Sequence, residues 1–163
     1  MPSGTGTRAR MKWQQVQDSP AAVFVLVLDP GEEAVAKITG FAREQSLGAS
    51  QVTAVGAFSE ATVGWFDREA KDYRRIPVGE QCEVLSLLGD IAVGEDGPTP
   101  HLHAVLGLAD GTTRGGHLLE GRVWPTLEVI VRDSPAALAK MHRPDLGLAL
   151  ISLPQGASLG SDL

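Results

Sequence analysis

The chain has 163 residues, 43% hydrophobic and 21% charged, with a net charge of −6. That is one domain's worth of sequence, with apolar residues enough for a single sizeable core. Cys82 is the only cysteine, which excludes an intrachain disulfide and suits a reducing, cytoplasmic setting. The longest apolar run, residues 21–28, is too short to span a bilayer, and the N-terminus has no apolar stretch of secretory type, so no membrane partner is expected.

In chain order, residues 1–11 read as a disordered tail rich in Gly, Thr, Ser and Arg, residues 12–153 as one folded domain, and residues 154–163 as a flexible polar tail. Residues 21–28 form an apolar, buried strand. Asp29-Pro30-Gly31-Glu32 reads as a helix start, with Asp29 capping and Pro30 in the first helical position. Val35, Ile38, Phe41 and Ala42 follow at helical spacing, and Gly48 is the stop. Residues 51–58 and 61–66 read as strands joined by a Ser59-Glu60 turn. Residues 72–76 and 82–93 are further strands, and 94–100 a loop. Residues 101–119 form a hairpin and 123–131 a strand whose Pro125 marks an edge or its first residues. Asp133-Ser134-Pro135 caps a second helix over 136–142, and 146–153 is the last strand. The tally of eight or nine strands and two helices gives an α+β fold on a largely antiparallel or mixed sheet.

The chemistry concentrates in the hairpin, which holds His101, His103 and His117, three of the four histidines. Residues two apart on a strand share a face, so His101 and His103 point the same way. The side of His117 depends on the turn. A two-residue turn at Asp110-Gly111 pairs Ala109 with Thr112 and sends His117 to the opposite face. A three-residue loop, Ala109-Asp110-Gly111, with Gly111 left-handed, pairs Leu108 with Thr112 and sets His117 across from His103. A bulge at Gly115-Gly116 reaches the same result. Two of the three arrangements cluster the imidazoles.

Three neutral imidazoles suit a divalent transition metal, zinc foremost, with nickel and copper also accommodated by nitrogen donors. Three histidines with an open fourth position is the arrangement of catalytic zinc sites. Glu83 and Glu128 are the carboxylates expected to complete the site or orient an imidazole. His142, at the end of the second expected helix, stays out of the cluster.

The remaining features are bland. Cys82 reads as a small core residue, and Trp13, Trp65 and Trp124 as packing residues. No Gly-x-Ser-x-Gly elbow, phosphate-binding loop or dinucleotide fingerprint occurs. Arg68, Lys71, Arg74 and Arg75 surround Tyr73, but Asp67, Glu69 and Asp72 are interleaved, as on a solvated hairpin.

The order of features resembles the plant and prokaryote conserved (PPC) domain family. The resemblance rests on residues 24–32 (FVLVLDPGE), 54–57 (AVGA) and 82–89 (CEVLSLLG), and most of all on His101-Leu102-His103, Asp110-Gly111, Gly115-Gly116-His117-Leu118 and residues 126–129 (TLEV). It implies an α+β fold, assembly as a homotrimer, a metal ion at the histidine cluster as in some stand-alone prokaryotic members, and a DNA-binding or transcription-associated role. The sequence has no Arg-Gly-Arg-Pro hook to lay arginines in an A·T minor groove, and its acid excess disfavours broad attraction to DNA. The expected function is therefore a PPC-type, DNA-associated homotrimer with a three-histidine metal site. The alternatives are a zinc-type enzyme and a small-molecule sensing or interaction module.

Overall fold

The structure, a computed structural model, describes residues 12–17 and 21–153, and the expected tails at 1–11 and 154–163 lie outside the described residues. Nine strands and one helix follow in order: β1 (Lys12–Gln17), β2 (Val23–Leu28), α1 (Ala34–Glu44), β3 (Ala49–Asp67), β4 (Asp72–Val78), β5 (Cys82–Gly94), β6 (Gly97–Gly107), β7 (Thr113–Asp133), β8 (Ala139–Arg143) and β9 (Leu148–Ser152). All belong to one sheet, antiparallel except for a single parallel bridge between Val93 of β5 and Ala139 of β8.

Two long strands organise the sheet. β3 spans 19 residues and β7 spans 21, and they pair with each other from Ser50–Asp133 to Gly64–His117. Register shifts at Phe58, Glu60 and Thr62 bend the pair, since each bulge adds local twist. The bend lets each strand change partners along its length. The early part of β3 also pairs with β5 and its later part with β4; the late part of β7 pairs with β2 and its first residues with β6. With β5 paired to β6, the pairings β3–β5–β6–β7–β3 close on themselves. Inside lies the core, including Phe58, Val63, Leu87, Ile91, Leu102, Leu106, Leu118 and Val123. α1 covers it with Ile38, Phe41 and Ala42, and Phe41 meets Phe24 edge-on at 5.3 Å.

Several local expectations are corrected. Only one helix occurs among the described residues: residues 139–142 of the expected second helix belong to strand β8. Leu138 N–H donates to Gly48 O at 2.9 Å and Val93 N–H to Leu138 O at 2.8 Å, and these tertiary bonds outweigh a two-turn helix that is marginal alone. Helix α1 starts later than Asp29. Gly31 is left-handed (φ 83°), so Asp29-Pro30-Gly31-Glu32 is a turn, and Glu33 caps the helix by accepting from Val35 N and Ala36 N. Ser46 (φ 54°), ahead of Gly48, takes the left-handed position after the helix. Ser59-Glu60 is an irregularity inside β3, where Glu60 pairs with Arg122. Residues 94–100 are no loop: Gly94 pairs with Gly97 across a two-residue Glu95-Asp96 turn, so Pro98 and Pro100 lie within β6. Both prolines fall where β6 pairs with β5 alone, its pairing with β7 starting only at His103, and an edge tolerates missing N–H donors. Pro125 sits inside β7, in the gap of its pairing with β3 between Val123 and Leu127. No helix among the described residues is long and apolar enough to cross a membrane.

Candidate metal centre

Two consecutive hairpins build the site. In the second, Leu108 N–H donates to Thr112 O at 2.8 Å, Gly111 N–H donates to Leu108 O at 2.9 Å, and Gly111 is left-handed (φ 81°). This is the three-residue loop. Asp110 holds it, accepting from Thr112 N at 2.9 Å and Thr112 Oγ1 at 2.7 Å, and these bonds keep its carboxyl below the usual range. Leu108 therefore faces Thr112, and His103 pairs with His117 with no bulge between β6 and β7. Gly116 serves a close approach instead: a Cβ there would stand 2.5 Å from Gly64 O of β3.

The three imidazoles share one face. Ring centroids lie 5.0 Å apart for His101–His103, 5.2 Å for His101–His117 and 5.5 Å for His103–His117. One ligating nitrogen from each falls within 4.8 Å of the other two, and His101 Nε2 is 3.1 Å from His103 Nε2. Tyr73 of β4 stacks on His117 at 4.7 Å. Burial, reinforced by the charges of His101, His103 and Lys140, holds His117 down to about 4. Partial desolvation of its ring, which is otherwise exposed on the sheet face, and the neighbouring His101 also lower His103. Both are thus neutral near pH 7, the form that binds metals. Nδ1 of His117 is buried without a hydrogen-bond partner, an unmet need that in a folded protein asks for a cause.

Glu83 and Glu128 are not brought to this group, which consists of the three histidines alone. Glu83 pairs with Gly107, four residues along β6 from His103, and Glu128 lies between Val27 and Val55 on the far part of β7. His142, on β8, is likewise outside the group. The carboxylate that does approach is Asp90, directly across from His101 in the β5–β6 hairpin, with Oδ2 3.5 Å from His101 Nδ1. The sequence carried a signal for it. Reading Gly94-Glu95-Asp96-Gly97 as a two-residue hairpin turn puts residues 90 and 101 opposite each other.

Cys82 is buried, and burial pushes its thiol up, as befits a core residue. Trp65 and Trp124 are about half exposed rather than packed, and the Arg74 guanidinium sits 4.9 Å over the Trp65 ring. The side chain of Trp13 lies outside what is described.

This chain resembles proteins of known structure and sequence. A crystal structure from Bacteroides thetaiotaomicron, named a "putative DNA binding protein", superposes with a TM-score of 0.82 at 24% identity, covering 88% of this chain and 98% of that one. The metal-containing protein of Archaeoglobus fulgidus is 31% identical with a TM-score of 0.75, covering 89% of this chain and 99% of its own. Among curated proteins, the bifunctional protein GlmU of a Synechococcus strain (JA-3-3Ab) is 35% identical over 131 residues. That is 79% of this chain but only 20% of the relative, so the chain spans about a fifth of the curated protein it matches. Residues 15–135 match the Plants and Prokaryotes Conserved domain, and with the sheet, the helix and the histidine hairpin all in place, the chain belongs to that family.

Proposed function

We propose that the protein is a metal-binding PPC homotrimer in which His101, His103 and His117 hold a divalent transition ion, zinc foremost. The observation that carries this is the convergence of three imidazoles on one sheet face, with two Nε2 atoms 3.1 Å apart. The 3.1 Å between the Nε2 atoms of His101 and His103 is a separation that two imidazole ligands of one zinc ion, each roughly 2.0–2.1 Å from it, would span. The buried, unpartnered Nδ1 of His117 and the neutrality of that ring fit a ligand set, and the Archaeoglobus relative is named for its metal. Elemental analysis of protein purified without a histidine tag, before and after equilibration with zinc, nickel and copper, tests it. One ion per chain, lost in His103→Ala, is expected; no retained metal overturns it.

The trimer draws support from a continuous apolar face beside the site. Val55, Leu85, Leu88, Val105 and Ile130 are each between 41% and 56% exposed, a patch of the kind that marks association. Light scattering at three times the 17.2 kDa chain mass is expected; a monomer overturns it. The DNA association takes its support from the DNA-binding name of the Bacteroides relative. On this chain three of the four basic side chains of the β3–β4 hairpin are engaged locally: Arg75 pairs with Glu120 at 2.7 Å, Lys71 donates to Pro144 O, and Arg74 covers Trp65. With a net charge of −6, binding to DNA should be weak and salt-sensitive. A gel shift with random duplex at low ionic strength that shows no complex removes DNA from the reading. A single cysteine, buried and free, fits a cytoplasmic location.

One observation favours a second reading, a metal-dependent enzyme. A cavity of about 240 Å³ lined by His103, Leu88, Ala104, Val105, Gly115 and Gly116 opens beside the histidines. Three protein ligands leave a coordination position free, and a zinc ion so held acidifies a bound water towards pH 7. The chain would contribute an apolar wall for a small substrate and His103 at its rim. Hydrolytic turnover of activated ester probes by the zinc-loaded protein, absent in His103→Ala, is the expected sign; no turnover removes this reading and leaves the metal site standing.

A further inference from the structure

Behind the histidines, on strand β8, Lys140 reaches into the sheet. Its side chain is only 4% exposed. Its Nζ donates to Thr99 O at 2.9 Å and stands 2.9 Å from Asp90 Oδ1. The contact with Asp90 is an ion pair whose angles fall outside hydrogen-bond geometry. Thr99 belongs to β6, two residues before His101, and Asp90 to β5, opposite His101. One buried ammonium thus ties together both strands of the hairpin that carries His101. Lys140 also lies beyond residue 135, where the match to the family ends.

We propose that Asp90 and Lys140 are positioning residues of the histidine centre: Lys140 fixes the Asp90 carboxylate, and Asp90 fixes the proton of His101 on Nδ1. The inference rests on the metal reading above for its purpose, but its first observable does not need a metal. An ammonium this buried requires a counter-charge, since an unpaired buried charge is costly. Asp90 supplies it through Oδ1, which directs Oδ2 at His101. The 3.5 Å from Oδ2 to Nδ1 is long for a hydrogen bond, so the carboxylate acts through its charge and favours the proton on the nearer nitrogen. With Nδ1 protonated, His101 Nε2 presents its lone pair towards His103 and His117. In the metal-free chain His103 Nε2–H then donates to His101 Nε2 across the 3.1 Å gap. A carboxylate behind a ligating histidine commonly sets the tautomer and strengthens the ligand. What is particular here is that the carboxylate is itself held by a lysine from a separate hairpin.

The test is imidazole ¹⁵N NMR on the metal-free protein, joined to zinc affinity by chelator competition. In the unmutated chain at pH 7.5, His101 should show a single Nδ1–H tautomer; an Nε2–H tautomer overturns the proposal without any variant. Asp90→Asn and Lys140→Met, each checked for a cooperative melt, should shift His101 towards a mixture of tautomers. They should weaken zinc binding about 10–100-fold, the range for partners behind a metal ligand. Either variant that stays folded with unchanged His101 signals and unchanged zinc affinity refutes the positioning role. If the unmutated chain binds no metal while the tautomer follows the pair, the metal reading fails and the positioning inference survives. A purely structural staple would lower the melting temperature and leave the tautomer alone.

Discussion

Removing one imidazole should separate metal affinity from stability. His103 is exposed on the sheet face, whereas its neighbours Leu102 and Ala104 point into the core. His103→Ala therefore leaves the packing alone, and its effect on the metal-free fold should stay within about 0.5 kcal/mol, as for surface positions. The effect on metal should be large. Structural zinc sites bind with about 10–16 kcal/mol through four ligands, or roughly 2.5–4 kcal/mol per ligand, so losing one weakens binding about 100- to 1,000-fold. Zinc at about 100 times the dissociation constant stabilises the unmutated protein by about 2.7 kcal/mol. That should raise a melting temperature by about 5–11 °C for a chain of this size. At the same zinc concentration the variant sits at or below its own dissociation constant, so the rise shrinks to about 2 °C or less. Differential scanning fluorimetry with and without zinc reads both numbers. An undiminished zinc shift in His103→Ala refutes the ligand assignment, and a metal-free melt several degrees lower refutes the claim that His103 carries no packing.

Acid should weaken the metal-free fold in a known window. His117 stays neutral in the folded chain down to about 4, against an ordinary value of 6.5, so the unfolded state binds more protons between those values. Its contribution is complete above pH 6.5 and drains as pH falls towards 4. Urea midpoints at pH 7, 5.5 and 4.5 should fall progressively, and less steeply in His117→Gln; equal slopes would count against the burial of that ring. Leu106, fully buried on the core side of the histidine hairpin, should cost about 2–5 kcal/mol as Leu106→Ala, read by urea denaturation; a loss under 1 kcal/mol would mean that the interior collapses around the gap. Gly111→Ala forces a side chain into the left-handed conformation at φ 81° and should cost about 1–2 kcal/mol, while zinc affinity changes little because the His103–His117 register is set along the whole β6–β7 ladder.

What could be read ahead of the structure was set by short-range rules. The Asp110-Gly111 signal and the period-2 placement of His101 and His103 led to a choice of registers, one of which is present: the three-residue loop, with no bulge between β6 and β7, decides which face His117 takes. α1 was legible from Ile38, Phe41 and Ala42, all buried, but its start was not. Glu33 caps the helix while its Oε1 also accepts from Gly121 N at 3.0 Å, a bond 88 residues away in sequence. The second expected helix failed for the same kind of reason. Ser134-Pro135 is a sound local start, yet hydrogen bonds through Leu138 to Gly48 and Val93 draw the segment out as β8. Asp90 was hidden by Pro98 and Pro100, which look like loop residues until one knows that their part of β6 is an edge.

These corrections bear on the site itself. The three imidazoles and the carboxylate behind His101 are placed by two turns. Glu95-Asp96 sets Asp90 against His101, and Ala109-Asp110-Gly111 sets His103 against His117. All four positions lie on three neighbouring strands, so the ladder hydrogen bonds fix the backbone from which the three rings project towards one another. A set built in this way has a consequence for chemistry. Its face is a sheet surface flanked by Gly115 and Gly116, which bring no side chain, and among the described residues no fourth histidine, cysteine or carboxylate joins the three imidazoles. A fourth ligand would therefore come from outside the described residues, with solvent, a bound molecule or another subunit among the sources. If the three imidazoles hold an ion as proposed, they leave it one position short of closed, which is the condition for exchange and reactivity rather than for a purely structural ion.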